Sequence, residues 1–246
     1  MAQSLTIIIP TYNEEKYLGK ALYSAQFADE LIVIDSYSID NTVAIANNYN
    51  CKVIQRKFDN FSNQKNTALE YATKDWVLFL DADERIPYIL QMEILETIEN
   101  AKNDGYKVKF PHFFMNRFLK HHYDKVTRLV KRENCRFEGD VHEKLIVKGT
   151  IGLLKNPMLH FTYKGLTHYI SKKDKYSWFQ AKQMERKHKK ATYFHLIFRP
   201  FYRFFRSYIL RGGFRDGVPG LAVSGINAYG VFSRYAKLIL LQKGLK

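Results

Sequence analysis

The chain reads as an α/β protein, a mostly parallel sheet flanked by helices, followed by a basic, amphipathic helical extension. Three observations predict this. Apolar runs rich in β-branched residues alternate with helical stretches over the first hundred residues, which implies right-handed βαβ units. The run Trp76-Val77-Leu78-Phe79-Leu80 ends in Asp81-Ala82-Asp83, so a buried parallel strand delivers two carboxylates to the crevice where open α/β sheets bind ligands. The net charge of +15 lies in the last third: residues 1–162 hold 21 Lys/Arg against 21 Asp/Glu, and residues 163–246 hold 18 against three.

Taken in order, residues 5–9 form a strand stopped by Pro10, and a helical stretch follows over 15–26. A second strand at 31–34 ends at Asp35; Asp40-Asn41 caps a helix reaching about residue 48, and 51–55 is a short third strand. Ser62 is the expected cap of a helix over 63–73, ahead of the strand at 76–80. A helix over 88–103 leads through Asp104-Gly105 into a strand at 106–110. Residues 112–160 look less regular, with strand-like pieces near 128–130, 136–137 and 145–147, and are expected to face the substrate. The charge balance changes near residue 165, which divides the chain into 1–165 and 166–246.

The extension carries its own pattern. At 100° per residue, Phe194, Ile197, Phe198, Phe201, Phe204, Phe205 and Tyr208 share one arc, with Arg199, Arg203 and Arg206 opposite. Pro200 sets the expected helix start near Arg199, with proline in the first turn. A basic excess of this size seeks an anionic partner, for which membrane phospholipid, nucleic acid and an anionic glycolipid all qualify. Arginines segregated from aromatics favour a membrane interface over a base-stacking platform, and no RNA-binding motif is present, so no nucleic acid is expected. A non-enzymatic nucleic-acid or membrane-binding module is the distant alternative.

Cys51 and Cys135 have no metal-type spacing. The start Met1-Ala2-Gln3-Ser4 has no signal-peptide pattern, and no run of about 18 apolar residues occurs. The expectation is a cytoplasmic protein, peripheral on the inner face of the cell membrane.

Polar segments follow three of the strands: Pro10-Thr11-Tyr12-Asn13-Glu14-Glu15, Asp35-Ser36-Tyr37-Ser38-Ile39-Asp40-Asn41-Thr42 and Asp81-Ala82-Asp83-Glu84. In a doubly wound sheet these carboxyl ends line one edge and meet a common ligand, a nucleotide foremost. Carboxylates there suit a hard divalent cation bridging to phosphates.

On these motifs, residues 4–165 resemble the family 2 glycosyltransferases of GT-A fold. Within them the chain is most similar to the small bacterial enzymes that add glucose to the heptose of the lipopolysaccharide inner core. That similarity rests on Asp35-Ser36-Tyr37-Ser38, Phe61-Ser62-Asn63-Gln64-Lys65-Asn66, Leu80-Asp81-Ala82-Asp83-Glu84 and Gly139-Asp140-Val141-His142-Glu143. The tail segments Arg211-Gly212-Gly213-Phe214-Arg215-Asp216-Gly217 and Tyr235-Ala236-Lys237-Leu238 add to it. One departure stands out: many family members have two adjacent acidic residues and Gly-Ser after the second strand, where this chain has Asp35 followed by Ser36-Tyr37.

The resemblance implies an inverting transfer of a sugar, glucose foremost, from a UDP-sugar to a lipid-linked or lipopolysaccharide-core saccharide. Polyprenyl phosphate, capsular glycan and protein are alternative acceptors. It makes 1–165 the nucleotide-sugar-binding and catalytic domain and 166–246 the membrane-associating, acceptor-side extension. Pro10, Thr11, Tyr12 and Glu14 would border the nucleotide. Asp35 would accept from the uracil imide, Lys65 would lie near the base and phosphates, and the Asp81-Ala82-Asp83 segment would hold the ribose side and the diphosphate. Mg²⁺ or Mn²⁺ would sit on Asp83, with Asp81 and His160 as further candidate ligands. Glu143 and Asp140 are the candidate general bases, with His142 orienting the carboxylate or the acceptor.

Overall fold

The computed structural model describes residues 3–139, 143–161 and 165–245. The first element, β1 (Leu5–Thr11), is buried along nearly its whole length. It pairs in parallel with β2 (Glu30–Asp35) and with β4 (Trp76–Phe79), and β2 pairs in parallel with β3 (Lys52–Gln55). Both faces of β1, β2 and β4 are covered, which is why they read as continuous apolar runs. Leu5, Ile7 and Ile9 enter one core with α1 (Leu18–Ala25) and α4 (Tyr88–Glu99), while Ile8 enters a second core with Ala68 of α3 (Phe61–Tyr71). The remaining crossover helix is α2 (Thr42–Asn48).

The short β5 (Glu84–Arg85) follows β4, and β6 (Gly105–Phe114) and β7 (Arg117–Lys131) follow α4. After β8 (Cys135–Glu138) and β9 (Lys144–Val147) come β10 (Ile151–Pro157) and the two-residue β11 (Leu159–His160). The main sheet has seven strands in the order β10-β6-β7-β4-β1-β2-β3. Residues 112–160, expected to be irregular, are therefore mostly strand. Met115 and Asn116, both at positive φ, make the two-residue turn between β6 and β7.

Two further readings are corrected. The N-cap of α3 is Asn60, whose side chain accepts from Asn63 N at 2.8 Å, while the Ser62 hydroxyl instead donates to Gly139 O at 2.5 Å. The helix expected from Arg199 is α6 (Tyr193–Phe205), with Pro200 in its interior. A mid-helix proline costs about 3 kcal/mol, so local signals alone misplace the start.

The chain divides into two compact units: 1–110 with 124–161, and 111–123 with 162–246. The second is built on α5 (Leu166–Arg186), α6 and α7 (Gly217–Gln242). It also takes in the β6–β7 turn, so it is not a purely carboxyl-terminal piece. Phe114 and Leu119 from the turn region pack with Val223 of α7. His122 is buried in this unit, with Nδ1 3.0 Å from Asp216 Oδ2 and Nε2 within 3.1 Å of both Ser207 and Ser224 hydroxyls. Asp216 also accepts from Lys120 N and His121 N, and Arg117 donates to its carbonyl.

Candidate active site

The site lies at the carboxyl ends of β1, β2 and β4, all in the first unit. Thr11 and Asp35 face each other across the β1–β2 pair, and the Thr11 hydroxyl donates to Asp35 Oδ1 at 3.1 Å. Asp35 is fully buried and also accepts from Ser38 N at 2.9 Å and the Ser38 hydroxyl at 2.5 Å. Three acceptor positions of the carboxylate are thus filled, of about four that it has. Asn13 and Tyr37, in the two loops beyond, adopt positive φ, a strain that collects at functional sites. The loops are tied together: Asn13 N donates to the Ser38 hydroxyl and Ile39 N to Asn13 Oδ1. Tyr12 and Tyr37 are exposed there, and Glu14 N donates to the Thr42 hydroxyl. Pro10 is half-buried at the end of β1.

The segment after β4 is arranged by Arg128. Because β7 runs antiparallel to β4 with Leu129 opposite Leu78, the register carries Arg128 to the strand end. Its guanidinium lies 2.7 Å from Asp81 Oδ2 and 2.5 Å from Glu84 Oε1, and rests on the Phe110 ring at 5.3 Å. Glu84 Oε2 accepts from Asp81 N at 2.9 Å, which closes the turn. Ala82 is buried within it. Burial alone would raise Asp81, but Arg128 beside it holds that carboxyl well below the usual range. Glu84, more deeply buried, is pushed up by desolvation despite the same arginine.

Asp83 takes a different partner. The β5–β11 ribbon sets His160 opposite Glu84, and His160 Nε2 lies 3.0 Å from Asp83 Oδ2. Burial works against a charged imidazole here, yet the hydrogen bond and charge of Asp83 raise His160 above its ordinary value. One carboxylate oxygen and one imidazole nitrogen side by side form a donor pair that Mn²⁺ or Mg²⁺ accepts when phosphate oxygens complete the shell. Among the described residues no group of three His, Cys, Asp or Glu surrounds a single point. Asp83 and His160 are the pair that could hold a metal here, while Asp81 is committed to Arg128.

The third part of the site is α3. The Asn66 side chain brackets Phe137, accepting from its N at 2.8 Å and donating to its O at 2.9 Å. With Ser62 on Gly139, this fastens the strand leading to Glu143. Lys65, only 6% exposed, places Nζ 3.2 Å from Glu143 Oε1 and 5.1 Å from the Phe137 ring centre. Gln64 reaches the other way, to the Ser36 hydroxyl at 2.7 Å. Successive residues of Phe61-Ser62-Asn63-Gln64-Lys65-Asn66 thus serve different walls of one site. Asp140 and His142 lie outside the described residues.

Sequence reasoning missed Arg128 and the organising role of Glu84. A charged residue opening the buried run Leu129-Val130 was the available signal.

Residues 6–158 match the model of glycosyl transferase family 2. The chain belongs to that family, and it is a glycosyltransferase. An uncharacterized glycosyltransferase of Rickettsia conorii is 30% identical, with 97% of this chain and 90% of that protein covered. The lipopolysaccharide core biosynthesis glycosyltransferase LpsC of Rhizobium meliloti is 29% identical, with 95% and 91% covered. Among solved structures, S. aureus TarS is similar in fold, with a TM-score of 0.50 at 16% identity over 98% of this chain and 92% of that one.

Proposed function

We propose that this enzyme transfers a hexose, glucose foremost, from a UDP-sugar to a saccharide of lipopolysaccharide core or a related envelope glycan, with inversion. The observation that carries the reading is the Asp83–His160 pair at the carboxyl edge of a family 2 fold. The name of the relative LpsC supports the acceptor class. Polyprenyl phosphate, capsular glycan and protein remain alternative acceptors. Lipid-linked acceptors imply work at the cytoplasmic, inner face of the cell membrane.

Asp83 and His160 would hold Mg²⁺ or Mn²⁺, which when bound neutralises charge on the departing diphosphate. The loops after β1 and β2 border the nucleoside. The remaining acceptor position of Asp35 suits the uracil N3–H, once Ser38 turns aside from it. Lys65 adds a buried positive charge beside Glu143. The acceptor hydroxyl attacks the sugar's anomeric carbon from the face opposite the diphosphate. Glu143 takes its proton as the new C–O bond forms and the bond to phosphate breaks.

Calorimetric titration of UDP and a panel of UDP-sugars, with and without Mn²⁺, tests the reading, with Asp83→Ala as control. The expected result is metal-dependent UDP binding that the variant lacks. No binding of any uridine nucleotide by the intact protein would overturn it.

A further inference from the structure

The helical unit carries an exposed aromatic surface of its own. One side of α6 is anchored: His195 packs on Tyr235 of α7, ring centres 5.3 Å apart, and Ser207 beyond it is buried. The other side faces outward. Phe194, Ile197, Phe198 and Phe201 are 59%, 63%, 56% and 69% exposed, and the Phe194 and Phe198 rings stack at 4.6 Å. Phe205 extends the row by a turn and is also exposed. Single exposed apolar residues are ordinary, but a continuous aromatic ridge marks an interaction surface.

Charge identifies the partner. Arg199 and Arg206 are exposed, and the helical period sets them away from the ridge, on the opposite arc. Lys187, Lys189 and Lys190, just before α6, are exposed too. Residues 163–246 contain only three carboxylates, and two are spent inside the unit. Asp174 pairs with Lys237 Nζ at 2.6 Å, and Asp216 is buried against His122. The surface around the ridge is left with almost no negative charge. A second copy of the same ridge would cover the aromatics but leave the arginines without a counter-charge, whereas an anionic bilayer satisfies aromatics and arginines together. Among the described residues no helix is long and apolar enough to cross a membrane, so the contact is with the bilayer surface.

We propose that the outward face of α6 beds into an anionic phospholipid surface, with Phe194, Ile197, Phe198 and Phe201 at the acyl boundary and Arg199 and Arg206 on headgroup phosphates. This deepens the membrane placement of the proposed function, yet stands on the helical unit alone.

Co-sedimentation of the full chain with phosphatidylglycerol-rich vesicles and with neutral phosphatidylcholine vesicles tests it. The variants are Phe198→Ser with Phe201→Ser, and Arg199→Glu with Arg206→Glu; all four side chains are exposed. The expected result is preference for anionic vesicles, weakened by added salt and reduced about tenfold or more in each double variant. Equal binding to both vesicles, or unchanged binding by the phenylalanine variant, overturns the proposal. So does a loss of self-association in that variant without loss of lipid binding, which would make the ridge an interface between copies. UDP binding by the same preparations in lipid-free buffer separates the two readings. Intact UDP binding without vesicle binding defeats the membrane surface alone; the converse defeats the donor site alone.

Discussion

Lys65 Nζ lies 3.2 Å from Glu143 Oε1, joining the first helical turns of α3 to a carboxylate 78 residues further on. A buried ammonium is costly without a counter-charge, so the two groups hold one another in place. The candidate base is thereby tied to α3. Glu143→Gln keeps the shape and removes the proton acceptor. Turnover is expected to fall about 10²–10⁴-fold with UDP affinity retained, as rate assays beside calorimetry will report. Parallel loss of binding and turnover would make Glu143 structural.

The separate partners of the two strand-end aspartates give a sharper test of the metal pair. Asp83→Ala and His160→Ala should each remove the Mn²⁺-dependent part of UDP affinity, while circular dichroism stays unchanged. Asp81→Asn should keep most of it, since Asp81 is bound to Arg128. Calorimetry across the three variants checks this. A larger metal effect for Asp81 than for His160 would reverse the assignment.

Arg128→Met strands Glu84, which is 1% exposed, without its counter-ion. Removing one partner of a buried pair costs about 3–5 kcal/mol, readable as a lower urea midpoint. Adding Glu84→Gln should return part of the loss, because it removes the orphaned charge. An Arg128→Met protein as stable as the parent would show the cluster to be energetically idle.

Stability should also depend on His122. Burial lowers it below the ordinary 6.5 despite the Asp216 hydrogen bond. Between its folded value and 6.5 the unfolded chain binds more protons, so this residue's contribution to stability falls as pH drops through that window. Urea titrations at pH 7.5 and 5.5, with His122→Gln for comparison, measure it. The variant's midpoint should depend less on pH; an identical dependence would refute the linkage.

Legibility followed burial. The strands β1, β2 and β4 were readable because sheets covered on both faces use unbroken apolar runs. β7 was not, since its middle, around Tyr123–Val126, is exposed and polar. Three of the strand-end segments pointed to one edge correctly, because topology alone brings them together. Arg128 stayed hidden because its partners lie 44 and 47 residues away. The α3 cap was placed at Ser62, although Asn60, of an equally suitable residue type, holds it. The start of α6 was misread because packing against α7 outweighs what proline favours locally.

The buried bonds of His122 set a timetable for synthesis. Its partner Asp216 is encoded 94 residues later and Ser224 102 residues later. At about 5–20 residues per second, roughly 5–20 seconds separate their translation. During that interval the turn between β6 and β7 has left the ribosome, but α7, which packs against it, does not yet exist. A nascent chain stalled before Asp216 therefore leaves the side of Phe114 and Leu119 that meets Val223 uncovered, a hydrophobic target for chaperones or proteases until α7 arrives.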